Sequence, residues 1–215
     1  MLIESVATRG KVLKAAERLF GQHGFSGTSL RQITKEAGTN LAAVNYHFGS
    51  KEDLYREVLL QRVRPLNEER LMLLTQAEQL AGDQPLPLRA ILDAFIRPVL
   101  GLATDRMPGR LAFLRLISRD LADPQPFLFT EMAREFDPLV KRYTQALAQT
   151  LPGLPAVDLF WRMQFTTGAL LYAAAHQHDF ERISSGLWQA DDVEGCVRRL
   201  VDYCTAGFGA PRSAA

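Results

Sequence analysis

The sequence predicts an all-α protein in two parts: a small N-terminal domain of three helices built around a helix-turn-helix, and a larger helical domain behind it. Three observations carry this reading. Apolar residues recur at i, i+3, i+4 and i+7 along nearly the whole chain. Glycines, prolines and Ser/Thr/Asn caps cut that pattern into segments of helical length. No run alternates apolar and polar residues between hairpin turns, so no strand is expected.

Val12, Ala15, Ala16, Leu19 and Phe20 form the first stripe, which stops at His23-Gly24 because glycine takes the left-handed conformation that ends a helix. Thr28 or Ser29 caps a second helix that turns Leu30, Ile33 and Ala37 inward, and Gly38 closes it. A third helix runs from an N-cap at Asn40 through Leu41 to Phe48 and stops at Gly49. Ser50-Lys51-Glu52-Asp53 reads as a capping box that opens a fourth helix with Leu54, Tyr55, Val58 and Leu59 on its apolar face. Pro65 marks the expected boundary. Residues 5–64 are assigned to the first domain, 65–208 to the second, and 209–215 to a disordered tail. Further helices are expected over 66–80, 88–102, 109–121, 126–151, 156–177 and 190–208, with Pro98 as a kink and Pro138 as a candidate break.

Composition excludes several classes. With 47% hydrophobic and 23% charged residues over 215 positions, the chain is ordinary globular material. No stretch reaches the roughly 18–20 apolar residues of a membrane span, and residues 1–9 lack the apolar segment of a secretory signal. Cys196 and Cys204 form no CxxC pair and read as reduced thiols, which fits a cytoplasmic protein. The net charge of +1 names no partner, but it hides an asymmetry. Up to Arg64 there are ten Lys and Arg against six Asp and Glu, whereas the remainder has fifteen against eighteen. A basic front end suits a polyanion.

Two short helices joined through Gly38-Thr39 make a helix-turn-helix, but small bundles contain such corners too. The surface of the second helix separates the two cases. Val44 and Phe48 face the core, which leaves Leu41, Ala42, Ala43, Asn45, Tyr46 and His47 for other surroundings, and no charge falls between Asn40 and Phe48. A solvated helix carries Glu and Lys on its outer face; a helix in a major groove needs small residues near the duplex. Asn45 can pair with adenine, and Leu41 or the alanine methyls can touch a thymine methyl. Tyr46, His47, Lys51, Thr28, Ser29 and Arg31 supply groups for phosphate, and the N-termini opened by Ser29 and Asn40 are anion sites in themselves.

The stretch from Val12 to Leu54 closely resembles the DNA-binding domain of the TetR family of bacterial transcriptional regulators. The matching pieces are Leu19-Phe20, His23-Gly24-Phe25, Thr28-Ser29, Ile33, Ala37-Gly38, and Val44 through His47-Phe48-Gly49-Ser50-Lys51-Glu52-Asp53-Leu54. One position departs: the family usually has tyrosine where this chain has Asn45, with Tyr46 one place later. The resemblance therefore supports phosphate roles for Tyr46, His47 and Lys51 more than a base code at Asn45. It implies a double-stranded DNA operator, a homodimer and an all-α domain that binds a small effector.

Two late segments are apolar beyond a single stripe: Leu159 to Ala173 and Val193 to Cys204. Such helices must be covered on more than one side, which suits a four-helix interface between two copies. Phe113, Phe127, Phe136, Trp161 and Phe165 are candidates to line a pocket for an apolar or amphipathic effector. The segment Asp158-Leu159-Phe160-Trp161-Arg162 with Phe165 and Gly168 also resembles fatty-acid-responsive TetR-family repressors, which implies a fatty acid or acyl thioester. An enzyme is not expected, and neither are a catalytic residue, a cofactor, a metal or a membrane partner. His176, His178, Asp179 and Glu181 are the nearest approach to a metal cluster, but histidines two apart point to different helix faces. A helical adaptor that binds only protein remains the alternative, separable by the salt dependence of duplex binding.

Overall fold

Helix follows helix in the order that the apolar stripes dictate. The computed structural model describes residues 2–104, 110–122, 125–189 and 191–211, and those described residues contain no strand. The helices are α1 (Leu2–His23), α2 (Leu30–Ala37), α3 (Leu41–Phe48), α4 (Lys51–Ala81), α5 (Leu88–Thr104), α6 (Arg110–Ala122), α7 (Phe129–Thr150), α8 (Ala156–Ala175), α9 (Gln177–Ile183) and α10 (Val193–Gly209), with a 3-10 turn at Pro126–Leu128. The chain divides into two compact units, one of residues 1–65 and 106–133, the other of residues 66–105 and 134–215.

In the first unit α1 packs on α2, α3 and α6. Its inward stripe is the predicted one: Val12, Ala15, Ala16, Leu19 and Phe20 are all buried. Gly21 permits the contact with α6, because a Cβ there would lie 2.6 Å from the Ala112 carbonyl oxygen. The sequence reading ended this domain at residue 64. By contact, α6 and the turn before α7 group with this unit as well. No local pattern announces that packing, since it depends on residues about a hundred positions apart.

Several expectations change at the prolines. Pro65 lies inside α4, which runs unbroken over 31 residues. The inward stripe explains this: Leu54, Tyr55, Val58, Leu59, Val63, Asn67, Arg70 and Leu74 are buried at helical spacing on both sides of the proline. Packing along that stripe offsets the one backbone bond that Pro65 removes. Pro138 likewise interrupts nothing, as α7 continues from Phe129 to Thr150. The helix expected over 156–177 stops at Ala175, and a short helix α9 follows it. The last helix starts at Val193, where the Asp192 carboxylate accepts the Gly195 N–H at 2.8 Å, and it ends at Gly209. The predicted positions 109, 190 and 212–215 lie outside the described residues.

In the second unit α5, α8 and α10 pack together. Pro98 lies inside α5, and three residues before it the Phe95 carbonyl accepts the Arg70 Nε–H at 2.9 Å. The Arg70 guanidinium also lies 4.0 Å from the Phe95 ring centroid, and burial pulls its pKa down to about 10. The Tyr143 hydroxyl donates to the Arg70 carbonyl at 3.0 Å. Cys196 and Cys204 are buried free thiols, raised in pKa by that burial.

Candidate nucleic-acid interface

The turn between α2 and α3 is fixed by its backbone. Gly38 sits at φ 63° and ψ 38°, a left-handed conformation that a side chain would strain. It donates to the Lys35 carbonyl at 3.4 Å, and Thr39 donates to the Thr34 carbonyl at 3.0 Å, so the last carbonyls of α2 are satisfied. The Asn40 Oδ1 then accepts the Ala43 N–H at 2.9 Å and starts α3. At the other end, the Ser50 hydroxyl accepts the Asp53 N–H at 3.0 Å and donates to the Asp53 carboxylate at 2.6 Å. That hydroxyl, followed by Arg56, holds the Asp53 carboxyl below its ordinary value.

Because α3 packs on α1 and α2 through Val44, which is fully buried, and half-buried Phe48, its opposite side faces solvent. Leu41, Ala42, Asn45 and Tyr46 share that side, with Tyr46 83% exposed. Ala43 and His47 flank it, both half-buried. The result is an exposed, uncharged helix face held rigidly from behind.

The groups read as phosphate contacts divide into two sets. Ser29 is exposed and is the N-cap of α2, its hydroxyl accepting the Gln32 N–H at 3.3 Å and donating to the Gln32 Oε1 at 2.8 Å. Arg31 is exposed on the first turn of α2. Lys51 is half-buried, its Nζ 4.2 Å from the Phe25 ring centroid, and burial lowers its pKa against the opposing charge of Glu52. Thr28 is a correction. It is 2% exposed, and its hydroxyl donates to the Gly24 carbonyl at 2.9 Å and the Leu19 carbonyl at 3.2 Å. Its hydroxyl is used to tie off the end of α1 rather than held out to solvent.

Ion pairs brace the head behind this face. Arg9 donates to Glu57 at 2.6 Å while its guanidinium lies 5.4 Å from the Phe48 ring centroid, which fixes the end of α3 against α1 and α4. Arg62 holds the buried Glu17 carboxylate at 2.7 and 3.0 Å. Arg18 pairs with Glu36 through both carboxylate oxygens, and Arg56 pairs with Asp53 and Glu131. Sequence reasoning missed Arg9 as a brace. A cation on the polar side of α1 carries no local mark of its partners.

The five aromatics proposed for an effector pocket are divided between the two units. Phe113 is 1% exposed in the first unit, and Phe127 packs on Phe25 and Tyr55 in that same unit. Trp161 and Phe165 stack on each other, 54% and 68% exposed on α8, and half-buried Phe136 lies on α7. Aromatic density in the sequence mixed core residues with surface ones. Among the described residues no group of three or more His, Cys, Asp or Glu is placed to hold a metal. No described helix is long and apolar enough to cross a membrane.

A helix-turn-helix head that exposes an uncharged second helix, joined to an all-α body, defines a class of DNA-binding proteins. Comparison with known proteins gives the family. Residues 12–58 match the family described as bacterial regulatory proteins, tetR family, and residues 93–207 match the tetracyclin repressor-like C-terminal domain. The chain is 31% identical to the HTH-type transcriptional dual regulator CecR of Shigella flexneri over 182 residues, 80% of this chain and 75% of that one. It is 43% identical to the probable HTH-type transcriptional regulator YttP of Bacillus subtilis over 54 residues, about a quarter of either chain. A TetR-family transcriptional regulator from Bordetella parapertussis shares the fold, with a TM-score of 0.66 at 19% identity, covering 96% of this chain and 98% of that one. The chain belongs to the TetR family of transcriptional regulators and binds DNA.

Proposed function

We propose that the protein is a ligand-responsive repressor that binds a palindromic operator as a homodimer. The observation that carries the reading is the exposed face of α3, where Leu41, Ala42, Asn45 and Tyr46 stand without a charge on a rigid support. In a major groove the alanines allow close approach, Asn45 addresses an adenine edge, and the Leu41 methyls reach a thymine methyl. Ala43 is one of those small residues, while Ser29, Arg31, Asn40, Tyr46, His47 and Lys51 surround the contact with polar groups that would fix register on phosphate. Asn40 retains its Nδ2 for this, since its Oδ1 is held by the cap.

The homodimer reading draws on α8. Val157, Phe160, Trp161, Phe165 and Tyr172 are exposed along it, a larger aromatic surface than water tolerates without cost. Two copies joined there carry two heads, and helix-turn-helix dimers read half-sites about 34–36 Å apart. A small apolar or amphipathic effector, with a fatty acid or acyl thioester as the class suggested by the α8 sequence, then shifts α4, whose residues 51–65 belong to the first unit and 66–81 to the second. To carry the population from 1:99 to 99:1 the effector needs roughly 5.5 kcal/mol of preference for the released state. By linkage, operator DNA weakens the effector by the same factor. Such a regulator works in the cytoplasm, where it meets the genome.

Selection of bound duplexes from a random library tests the reading. A two-fold symmetric consensus is the expected result; recovery of unselected sequence, or of a single asymmetric site, contradicts it. Native mass spectrometry of the purified protein tests the effector half by the mass of any small molecule retained.

A further inference from the structure

We infer that Phe127 is a positioning residue for Lys51: it braces the Phe25 ring on which the Lys51 ammonium lies, and so presents that cation to the DNA backbone in a preset place. The inference rests on the DNA-binding reading above. Phe25 packs against Phe20 at 6.2 Å, Tyr55 at 5.1 Å and Phe127 at 5.0 Å between ring centroids. Phe20 and Tyr55 are core residues of the same stretch, 0% and 2% exposed. Phe127 comes from the 3-10 turn Pro126–Leu128, far along the chain, and also touches Tyr55 at 6.1 Å.

A lysine stem is flexible, and ordering it for a phosphate contact costs conformational freedom. The face of a fixed ring attracts an ammonium through its quadrupole, so Lys51, 4.2 Å from the Phe25 centroid, has part of that ordering done beforehand. The benefit lasts only while the ring is held. Removing Phe127 opens space beside Phe25 and lets the ring tilt away from Lys51. The turn that carries Phe127 runs directly into α7, where Glu131 pairs with Arg56 of α4, so this junction grips the head at two points. A displacement of the first turn of α7 then alters a phosphate contact without touching α3.

Two measurements on the full chain test this. Without DNA, ring current from Phe25 moves the Lys51 ε-methylene protons upfield in the NMR spectrum. Phe25→Leu abolishes that shift, Phe127→Ala and Phe127→Leu reduce it, and Phe127→Tyr retains it. With the duplex enriched from the random library, Lys51→Ala lowers the salt slope of binding by about one. Phe127→Ala keeps the slope, because Lys51 retains its charge, but weakens binding at fixed salt; in the Lys51→Ala background it weakens binding no further, and Phe127→Tyr binds as the parent does. Phe127→Leu keeps an apolar side chain in place and separates loss of the ring from loss of the fold. An unchanged Lys51 shift in Phe127→Ala and Phe127→Leu overturns the inference, as does a loss of affinity in Phe127→Ala that is equally large with and without Lys51. A Phe127-dependent shift in a chain with no salt-dependent duplex affinity overturns the DNA-binding reading itself, and the phosphate role with it.

Discussion

On α3 the exposed side chains are Leu41, Ala42, Asn45 and Tyr46; on α8 they include Val157, Phe160, Trp161, Phe165 and Tyr172. Both helices are buried on the opposite side, α3 through Val44 and α8 through Leu159, Thr166, Leu170 and Ala174. Neither exposed set carries a charge, although a helix facing water has no reason to exclude Glu and Lys. The difference lies in size and polarity. Small side chains with one amide and one phenol leave a backbone free to approach base edges, whereas large rings present the anchors that fill pockets on another protein. On the proposed function the α3 face meets DNA and the α8 face a second copy, and the side-chain volumes are what tell the two apart.

The sharpest break in that comparison sets core against face. Phe20 is fully buried and meets the Tyr55 ring edge-on at 4.8 Å, so Phe20→Ala should cost about 3–5 kcal/mol of stability. Tyr46→Ala, at an exposed position, should change stability by less than about 0.5 kcal/mol while weakening duplex binding. Thermal melting and binding curves on both variants check the pair; equal destabilisation by both removes the distinction between support and face. Next in size, Trp161→Ala should weaken the homodimer by about 2–4 kcal/mol if the aromatic face of α8 is its anchor. Sedimentation across a dilution series reads this, and an unchanged dissociation constant assigns that face elsewhere.

Asn45→Ala should lose about 1–3 kcal/mol on the enriched duplex and little on random sequence. Equal losses on both take Asn45 off the list of base-reading residues. The smallest effect belongs to Asp53, whose folded-state carboxyl lies below its ordinary 3.8 because of the Ser50 hydroxyl and Arg56. Its contribution to stability is present above about pH 3.8 and fades as the pH falls through the lowered value. The melting temperature of Asp53→Asn should therefore lie below that of the parent at neutral pH and converge with it in acid. A gap that persists unchanged at low pH contradicts the assignment.

The head was legible because its signals are local. Ser29, Gly38, Asn40 and Ser50 each act within three or four residues, so the caps and the turn could be read directly from spacing. Three features lay beyond that range. Residues 106–133 join the head through contacts made far along the chain, and Gly21 alone hints at the close packing involved. Pro65 does mark the division between the two units, but not a break in the helix, since proline propensity is local whereas the buried stripe that carries α4 through it is not. Thr28 carries a residue type suited to phosphate, yet its hydroxyl is consumed by the carbonyls that end α1. The aromatics show the same limit: Phe127 and Trp161 are alike in the sequence, while one packs on Phe25 and the other is exposed on α8.

Photo-cross-linking tests the central distinction most directly. With p-benzoylphenylalanine placed at Tyr46 or at Trp161 of the full chain and the enriched duplex present, the account predicts a protein–DNA adduct from position 46 and a protein–protein adduct from position 161. An adduct to DNA from position 161 with none from position 46 contradicts it.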